Sequence, residues 1–200
     1  EDMFEYELEF ENGLRSKVVN NILTDLEDEK LNILGREYQV VIADVSSGIA
    51  TIEFMSGDIY DSLNEGETKK YQLNGVDYEI EAVTITDANP AAVVLKINGI
   101  ETEQLEDGEL FIDDNGIAIG VAEILNSEAG EGKDIVRIYL NAHTFEFTDS
   151  YGDDSFGGSV SVNKEIIDAG STKIRGSLAG WEFDFASLKY RLKADAVSGA

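Results

Sequence analysis

The sequence contains no cysteine and only one histidine, His143, among its 200 residues. Without cysteine the chain forms no disulfide and has no thiol chemistry. A lone histidine without cysteine also argues against a zinc site. His143 follows a strand-like stretch in LNAHTFEF, where we interpret it as a surface or packing residue rather than a catalyst.

Long apolar runs are absent as well, because no stretch approaches eighteen consecutive apolar residues. The chain opens with EDMFEYELEF, which has neither the basic region nor the apolar region of a signal peptide. We therefore expect no direct membrane insertion by this segment. We also expect that a signal peptide was removed or that the chain is a piece of a longer protein.

Positive charge is scarce. Fifteen basic residues stand against 41 acidic residues, so the formal net charge is −26. Such a charge disfavours binding to the phosphates of nucleic acid and to anionic membrane surfaces. The acidic surface is consistent with high external salt, with divalent cations or with selection for solubility, and we favour salt or cations.

What the sequence does contain is a repeat. QLNGVDYEIEAV, residues 72–83, alternates apolar and polar residues around Asn-Gly, the pair that favours a two-residue β-turn. NILGREYQVVIADV precedes it and DDNGIAIGVAEI follows it, and their glycines Gly35, Gly75 and Gly116 lie 40 and 41 residues apart. The apolar phase slips after each turn, which predicts a β-bulge in the second strand of each hairpin.

Two further landmarks keep the same period. LNEGE begins at Leu63 and LEDGE at Leu105, 42 residues later, while LEDEK at Leu26 is a degraded copy. Alternating strands ending near glycine recur as LEFENG, IEFMSG and VLKING, with RIYLNA as a fourth. A propeller would need a longer chain than 200 residues. We therefore predict an all-β fold of antiparallel sandwich-like or barrel-like modules built from repeats of about 40 residues.

Residues 15–29 are the exception, because their apolar spacing also fits one short N-terminal helix. The repeat stops near residue 148, where TDSYGDDSFGGS reads as a loop. This predicts a repeat-containing β domain at residues 1–148 and a second β segment at 149–200, part of a further or interleaved sandwich. We expect Trp181 to anchor the packing of that second segment.

Motifs of enzyme chemistry were not found, since the chain has no G-x-S-x-G and no phosphate-binding loop. Acidic pairs are too abundant here to indicate a glycosidase. We therefore predict that the protein is not an enzyme. Asp149, Asp153 and Asp154 share one glycine-rich stretch, which could hold Ca²⁺ as a cofactor. An ordinary acidic loop is the alternative.

The ordered set LNILGREYQVVIADV, LNEGETKKYQLNGVDYEIEAV and LEDGELFIDDNGIAIGVAEIL resembles stretches of archaeal S-layer proteins. The similarity covers residues 26–142, and WEFDFASLKYRLKADA looks like a later stretch of the same proteins. The resemblance implies an extracellular, non-enzymatic cell-envelope protein that self-assembles with like subunits into a two-dimensional lattice. It also implies glycans or divalent cations at subunit contacts, although the sequence has no Asn-x-Ser/Thr sequon.

A cell-surface adhesin or carbohydrate-binding β-module is the alternative function. Its binding platform would be formed by aromatic residues near the ends of loops, namely Tyr60, Tyr151 and Phe156. Packing beside turns explains the same residues equally well.

Overall fold

The computed structural model describes residues 2–127 and 132–193. These residues form strands and turns, and no helix among them could cross a membrane. The predicted all-β fold is confirmed. The strands are β1 (Asp2–Val19), β2 (Ile22–Leu23), β3 (Lys30–Ile33), β4 (Arg36–Ser46), β5 (Ile49–Ser56), β6 (Ile59–Asn64), β7 (Thr68–Leu73), β8 (Val76–Ile85), β9 (Val93–Ile97), β10 (Ile100–Leu105), β11 (Leu110–Ile112), β12 (Ala118–Leu125), β13 (Ile135–Leu140), β14 (His143–Ser150), β15 (Ser159–Val162), β16 (Glu165–Ile166), β17 (Gly170–Ala179) and β18 (Glu182–Lys193).

The sequence repeat corresponds to three antiparallel meanders, β3–β4–β5, β7–β8–β9 and β11–β12–β13. The first two begin with two-residue turns in which both residues have positive φ. The φ values are 52° and 82° for Asn74 and Gly75, and 52° and 81° for Leu34 and Gly35. The predicted Asn-Gly turn is therefore confirmed, because this geometry is what the pair favours. The third meander uses a longer loop, residues 113–117, with Gly116 at φ 80°.

A bulge interrupts the second strand of every meander, where the apolar phase of the sequence slips. The extra residue is Val41 in β4, Val83 in β8 and Ala122 in β12. The predicted bulges are confirmed in all three copies. A one-residue insertion moves the following side chains to the other face of the sheet, so the slip in the sequence and the bulge have one cause.

The Leu-x-x-Gly-Glu stretch is a turn that is tied to the bulged strand. The N–H of Gly66 donates to the Ala82 carbonyl at 2.6 Å, and the N–H of Ala82 donates to the Glu67 carbonyl at 3.1 Å. The same two bonds recur through Gly108, Val121 and Glu109 and through Asp28, Val40 and Glu29. Asp28 adopts a φ of 66°, so the degraded LEDEK copy keeps the turn without glycine.

Two four-stranded sheets pack face to face as a β-sandwich, in the orders β10–β9–β8–β7 and β11–β12–β13–β6. Alternate residues of both sheets fill the space between them. The buried core includes Leu63, Tyr78, Ile80, Val93, Leu95, Ile119, Val121, Val136 and Ile138. The alternating apolar residues before the bulges of β8 and β12, namely Tyr78, Ile80, Ile119 and Val121, all face this core.

The third sheet has ten strands in the order β16–β15–β14–β5–β4–β2–β1–β18–β17, with β3 also paired to β4. It curls until β17 lies beside the residues that precede β15. There the backbones of Gly158 and Thr172 exchange hydrogen bonds of 3.3 and 3.2 Å. We call this curled sheet the half-barrel. Its interior is apolar and includes Leu23, Ile52, Phe54, Phe147, Ile174, Phe183, Phe185 and Leu188.

The sandwich packs against the outer face of the half-barrel. Val41 and Met55 of the half-barrel meet Ala118, Ala122 and Tyr139 of the sandwich in a small buried cluster. Small residues on the sandwich side allow the two sheets to approach closely. Gly120 follows the same pattern, because a Cβ there would lie 2.6 Å from the Met55 sulphur.

Residues 148 and 149 both lie in β14, and the segment from 149 onward shares the sheet that residues 2–56 begin. Two other sequence expectations differ from the structure. The helix alternative for residues 15–29 is not realised, because Asn20 and Asn21 take positive φ and turn β1 into β2. Trp181 does not anchor the core, since it lies in the β17–β18 turn and is 81% exposed.

Candidate functional site

Of the three aspartates predicted to bind calcium, Asp149 lies near the end of β14, and Asp153 and Asp154 lie in the loop that follows. The three carboxylates have different partners. Asp149 is buried, and its Oδ2 accepts a hydrogen bond from the N–H of Ile174 at 2.9 Å. Burial raises the pKa of this carboxyl. Asp153 accepts a hydrogen bond from the N–H of Ser155 at 3.0 Å, which is a local turn contact.

Asp154 is already neutralised by two cations. Its Oδ1 lies 2.9 Å from Lys173 Nζ and 2.7 Å from Arg175 Nη2, and these partners lower the pKa of Asp154 to about 2. Across residues 2–127 and 132–193 there is no group of three or more acidic, histidine or cysteine side chains arranged to hold a metal ion. The observed contacts of the three aspartates therefore fit the ordinary acidic loop better than a shared calcium ion.

The aromatic residues considered for carbohydrate binding do not form one platform. Tyr60 lies on β6 of the sandwich and stacks on Tyr139 with ring centroids 4.7 Å apart. Tyr151 packs edge-on against Phe183 at 5.0 Å, inside the half-barrel. Phe156 lies against the guanidinium of Arg191, 4.0 Å from the ring centroid. Of these three aromatics, only Tyr60 belongs to the sandwich.

An acidic recess of about 520 Å³ lies between the half-barrel and the sandwich. Sequence reasoning did not identify it. Its carboxylates include Glu27 and Asp28 from the half-barrel and Glu106 and Asp107 from the sandwich. The pKa values of Glu27 and Asp107 are both raised to about 7, first by burial and then by neighbouring carboxylates. This recess concentrates negative charge where two parts of the fold meet.

The repeat explains why these two acids behave alike. Each stands directly before the positive-φ residue of its turn, Asp28 or Gly108. A backbone N–H of the bulged strand, that of Ala43 for Glu27 and that of Ile124 for Asp107, partly offsets the rise in each pKa. The structure aligns residues 25–29, DLEDE, with LEDGE, so the equivalence of the two acids lies one residue away from the alignment of LEDEK with LEDGE. Their shifted pKa values have a structural cause and do not by themselves indicate catalysis.

A second cavity, the apolar cleft, opens into the half-barrel and has a volume of about 390 Å³. Aliphatic and aromatic side chains line it, including Tyr6, Tyr38, Phe145, Val162, Leu188 and Tyr190. Small closed barrels normally fill their interior with side chains, so an open space of this size is a distinct feature. The alternation of Phe4, Tyr6, Leu8 and Phe10 in EDMFEYELEF was the available sequence signal.

Three phenols meet at the apolar cleft. Burial raises the pKa of Tyr190, and the nearby Tyr38 and Tyr6 raise it further. The rings of Tyr6 and Tyr190 lie with their centroids 6.1 Å apart. The cleft therefore combines apolar walls with a few polar groups.

The chain was compared with known proteins, and no family model, no curated protein and no solved structure matches it.

Proposed function

We propose that this chain is a structural module of an extracellular surface layer and that it assembles with like subunits into a two-dimensional cell-envelope lattice. The observation that carries the proposal is the ordered set of motifs that resembles archaeal S-layer proteins. The same motifs form the three bulged meanders and their turns. Repeated β modules of this kind are suited to building material, because each copy adds surface without a dedicated active site.

The charge sets the conditions for such an assembly. Two copies that each carry a formal charge of −26 repel one another at low ionic strength. Salt screens this repulsion, and Ca²⁺ can bridge carboxylates that belong to different copies. We propose that cations act at such contacts between copies. Asp154 is a poor candidate for binding such a cation, because its carboxylate already forms ion pairs with Lys173 and Arg175.

Electron microscopy of native cell envelopes, and of the purified protein with and without Ca²⁺, tests the proposal. We expect ordered sheets that contain this protein and self-association that rises with Ca²⁺ or salt and falls with chelator. Sedimentation velocity under the same conditions measures the association in solution. A full-length protein that stays monomeric in Ca²⁺ and high salt, or that is located inside the cell, would overturn the proposal.

A cell-surface adhesin or carbohydrate-binding module is the alternative, and the Tyr60–Tyr139 pair is the observation that favours it. Tyr60 is 38% exposed, and Lys30 Nζ lies 4.1 Å from its ring centroid. An exposed aromatic ring beside a cation suits the apolar face and hydroxyls of a sugar. A glycan array tests this function, with Tyr60→Ala as the variant that should lose binding.

A further inference from the structure

We propose that the half-barrel binds an extended peptide segment of alternating apolar and basic residues as an additional strand between β1 and β3. The segment would complete the wall of the half-barrel and fill the apolar cleft. This inference is independent of the surface-layer proposal, because it rests on the half-barrel alone.

The wall of the half-barrel has a gap between β1 and β3. Within residues 2–127 and 132–193, β1 pairs with β18 along its length and on its other side pairs only with β2, at Val18 and Val19. Within the same residues β3 pairs only with β4. Among the described residues, no pairing joins β1 to β3. The wall is therefore continuous at the β2 end and interrupted at the other end, where two unpaired strand edges remain.

Unpaired edges present rows of N–H and C=O groups that a further strand can use. Peptide addition to a sheet edge draws its affinity from such main-chain bonds and its specificity from pockets for alternate side chains. Both strands that border the gap also supply the side chains of such a pocket. Tyr6 and Leu8 of β1 and Ile33 of β3, with Leu34 from the following turn, line the apolar cleft.

The size of the cleft fits this occupant. At about 30 Å³ for each water-sized group, 390 Å³ accommodates roughly a dozen non-hydrogen atoms. Three or four inward-facing valine or leucine side chains contain about a dozen non-hydrogen atoms. A small apolar molecule would fill the same volume but would leave both strand edges without partners. The inserted strand satisfies the volume and the edges together.

The charge of the occupant follows from the outer face of β1. Glu5, Glu7 and Glu9 alternate with the inward Tyr6 and Leu8 and are exposed. Residues directly opposite one another on neighbouring strands interact, and opposite charges are favourable there. Lysine or arginine at the outward positions of the segment therefore complements β1.

The same row of glutamates argues against a second copy of this chain. Pairing of two β1 edges would bring Glu5, Glu7 and Glu9 of one copy close to the same residues of the other. Like charges facing one another destabilise strand pairing, and a net charge of −26 on each copy adds to the repulsion. The occupant is therefore a basic partner segment.

The test uses the purified chain and a fluorescently labelled decapeptide in which valine alternates with lysine. Anisotropy measures binding, and hydrogen exchange measures backbone protection. We expect saturable binding that weakens with salt, together with slower amide exchange in β1 and β3. A matched peptide with glutamate in place of lysine should bind about tenfold more weakly or worse. A control peptide has the same composition, but its five valines are consecutive and are followed by its five lysines. It should not protect the amides of β1 and β3 from exchange.

A charge-swap variant makes the test specific. In Glu5→Lys/Glu9→Lys the preference should reverse towards the glutamate peptide, while Glu7 remains in its ion pair with Lys189. Both substituted residues are exposed, and circular dichroism checks that the variant is folded. The proposal is overturned if neither peptide binds, if the preference does not follow the charge, or if binding leaves β1 and β3 unprotected. Dodecanol that binds while the lysine peptide does not would identify a small-molecule pocket instead.

Discussion

The Glu65 carboxylate accepts a hydrogen bond from the backbone N–H of Ile85 at 2.9 Å. Glu65 stands directly before Gly66, and Ile85 lies beyond the bulge of β8. Glu27 and Asp107 hold the same place in their own copies and face the N–H groups of Ala43 and Ile124. An acid before the turn thus satisfies a backbone donor of the bulged strand in all three repeats, which gives this sequence position a structural reason.

This relationship predicts how stability depends on pH. The pKa values of Glu27 and Asp107 are raised from ordinary values of 4.5 and 3.8 to about 7. Between about pH 4 and pH 7 the folded state therefore holds protons that the unfolded chain has lost. Under proton linkage the free energy of unfolding then falls as pH rises through this window. Thermal unfolding should show a higher midpoint at pH 5 than at pH 8.

Neutral isosteres at the two positions separate this effect from general charge repulsion. Glu27→Gln and Asp107→Asn keep an oxygen that can accept a backbone hydrogen bond and remove the carboxylate charge. The double variant should be more stable than the native chain at pH 8 and should show a flatter pH profile. Asp77→Asn/Glu79→Gln changes the net charge equally at exposed sites and is the control. An equal effect of both pairs would assign the pH dependence to net charge alone.

Gly75→Val should destabilise the fold by about 1 kcal/mol or more. Gly75 has a φ of 82°, where a β-branched side chain is strained, and no atom lies within 4 Å of the added Cβ. The cost is therefore conformational and not steric. Gly75→Asn is the matched control and should cost less, because asparagine tolerates this region. Urea unfolding measures both, and equal costs would contradict the turn assignment.

Ile80→Ala should reduce the free energy of unfolding by about 2 to 5 kcal/mol. Ile80 is fully buried between the two sheets of the sandwich, so truncation removes apolar contacts and leaves a cavity. Glu79→Ala, one residue away on the exposed face, should change stability by only about 0.5 kcal/mol. Chemical denaturation measures both, and comparable losses would show that the register of β8 is misassigned.

The hairpins, their turns and the bulges were predictable from the sequence because each depends on neighbouring residues. Asn74-Gly75 specifies its turn through backbone preference, and the shift in apolar phase after Ile80 marks the bulge. The degraded LEDEK copy was also recognisable, although its register was one residue off, because Asp28 and not Glu29 takes the place of the glycine. Local chemistry carries all of this information.

The exchange of strands between sheets could not be predicted in the same way. β6 follows β5 in the chain but pairs with β13, while β14 takes the place beside β5. Strand alternation identifies which face is buried but not which distant strand is the neighbour. The half-barrel and its apolar cleft follow from these long-range pairings. The cleft could therefore not be predicted from the sequence, although the alternation of apolar residues in β1 could be recognised.

The contacts of Asp149, Asp153 and Asp154 show a second limit. Composition indicated carboxylates in a glycine-rich stretch. The cationic side chains that pair with Asp154 are Lys173 and Arg175, which come from β17 later in the chain. Trp181 is similar, because Gly180 with a φ of 66° forms a turn that places the indole outside. The partner of a side chain depends on the tertiary fold, which residue type does not specify.

Glu53 and Lys164 supply the last prediction. Glu53 is fully buried on β5, and its Oε2 lies 2.7 Å from Lys164 Nζ. Burial raises the pKa of Glu53, and Lys164 opposes this effect. Lys164→Met removes the partner and leaves a buried carboxylate unpaired. We expect a loss of about 2 to 3 kcal/mol at pH 8, below the usual range for a fully enclosed pair because Lys164 is partly exposed.

The loss should shrink at pH 5, because an unpaired Glu53 can take up a proton and remove the buried charge. Glu53→Gln/Lys164→Met should recover most of the stability at pH 8, since the glutamine is neutral. Lys30→Met is the control at an exposed pair, where Lys30 Nζ lies 3.0 Å from Glu37 Oε1, and should cost less than about 1 kcal/mol. Thermal and urea unfolding of the four proteins measure these differences. A Lys164→Met loss that is independent of pH and not recovered in the double variant would mean that lost packing, and not the unpaired carboxylate, causes the destabilisation.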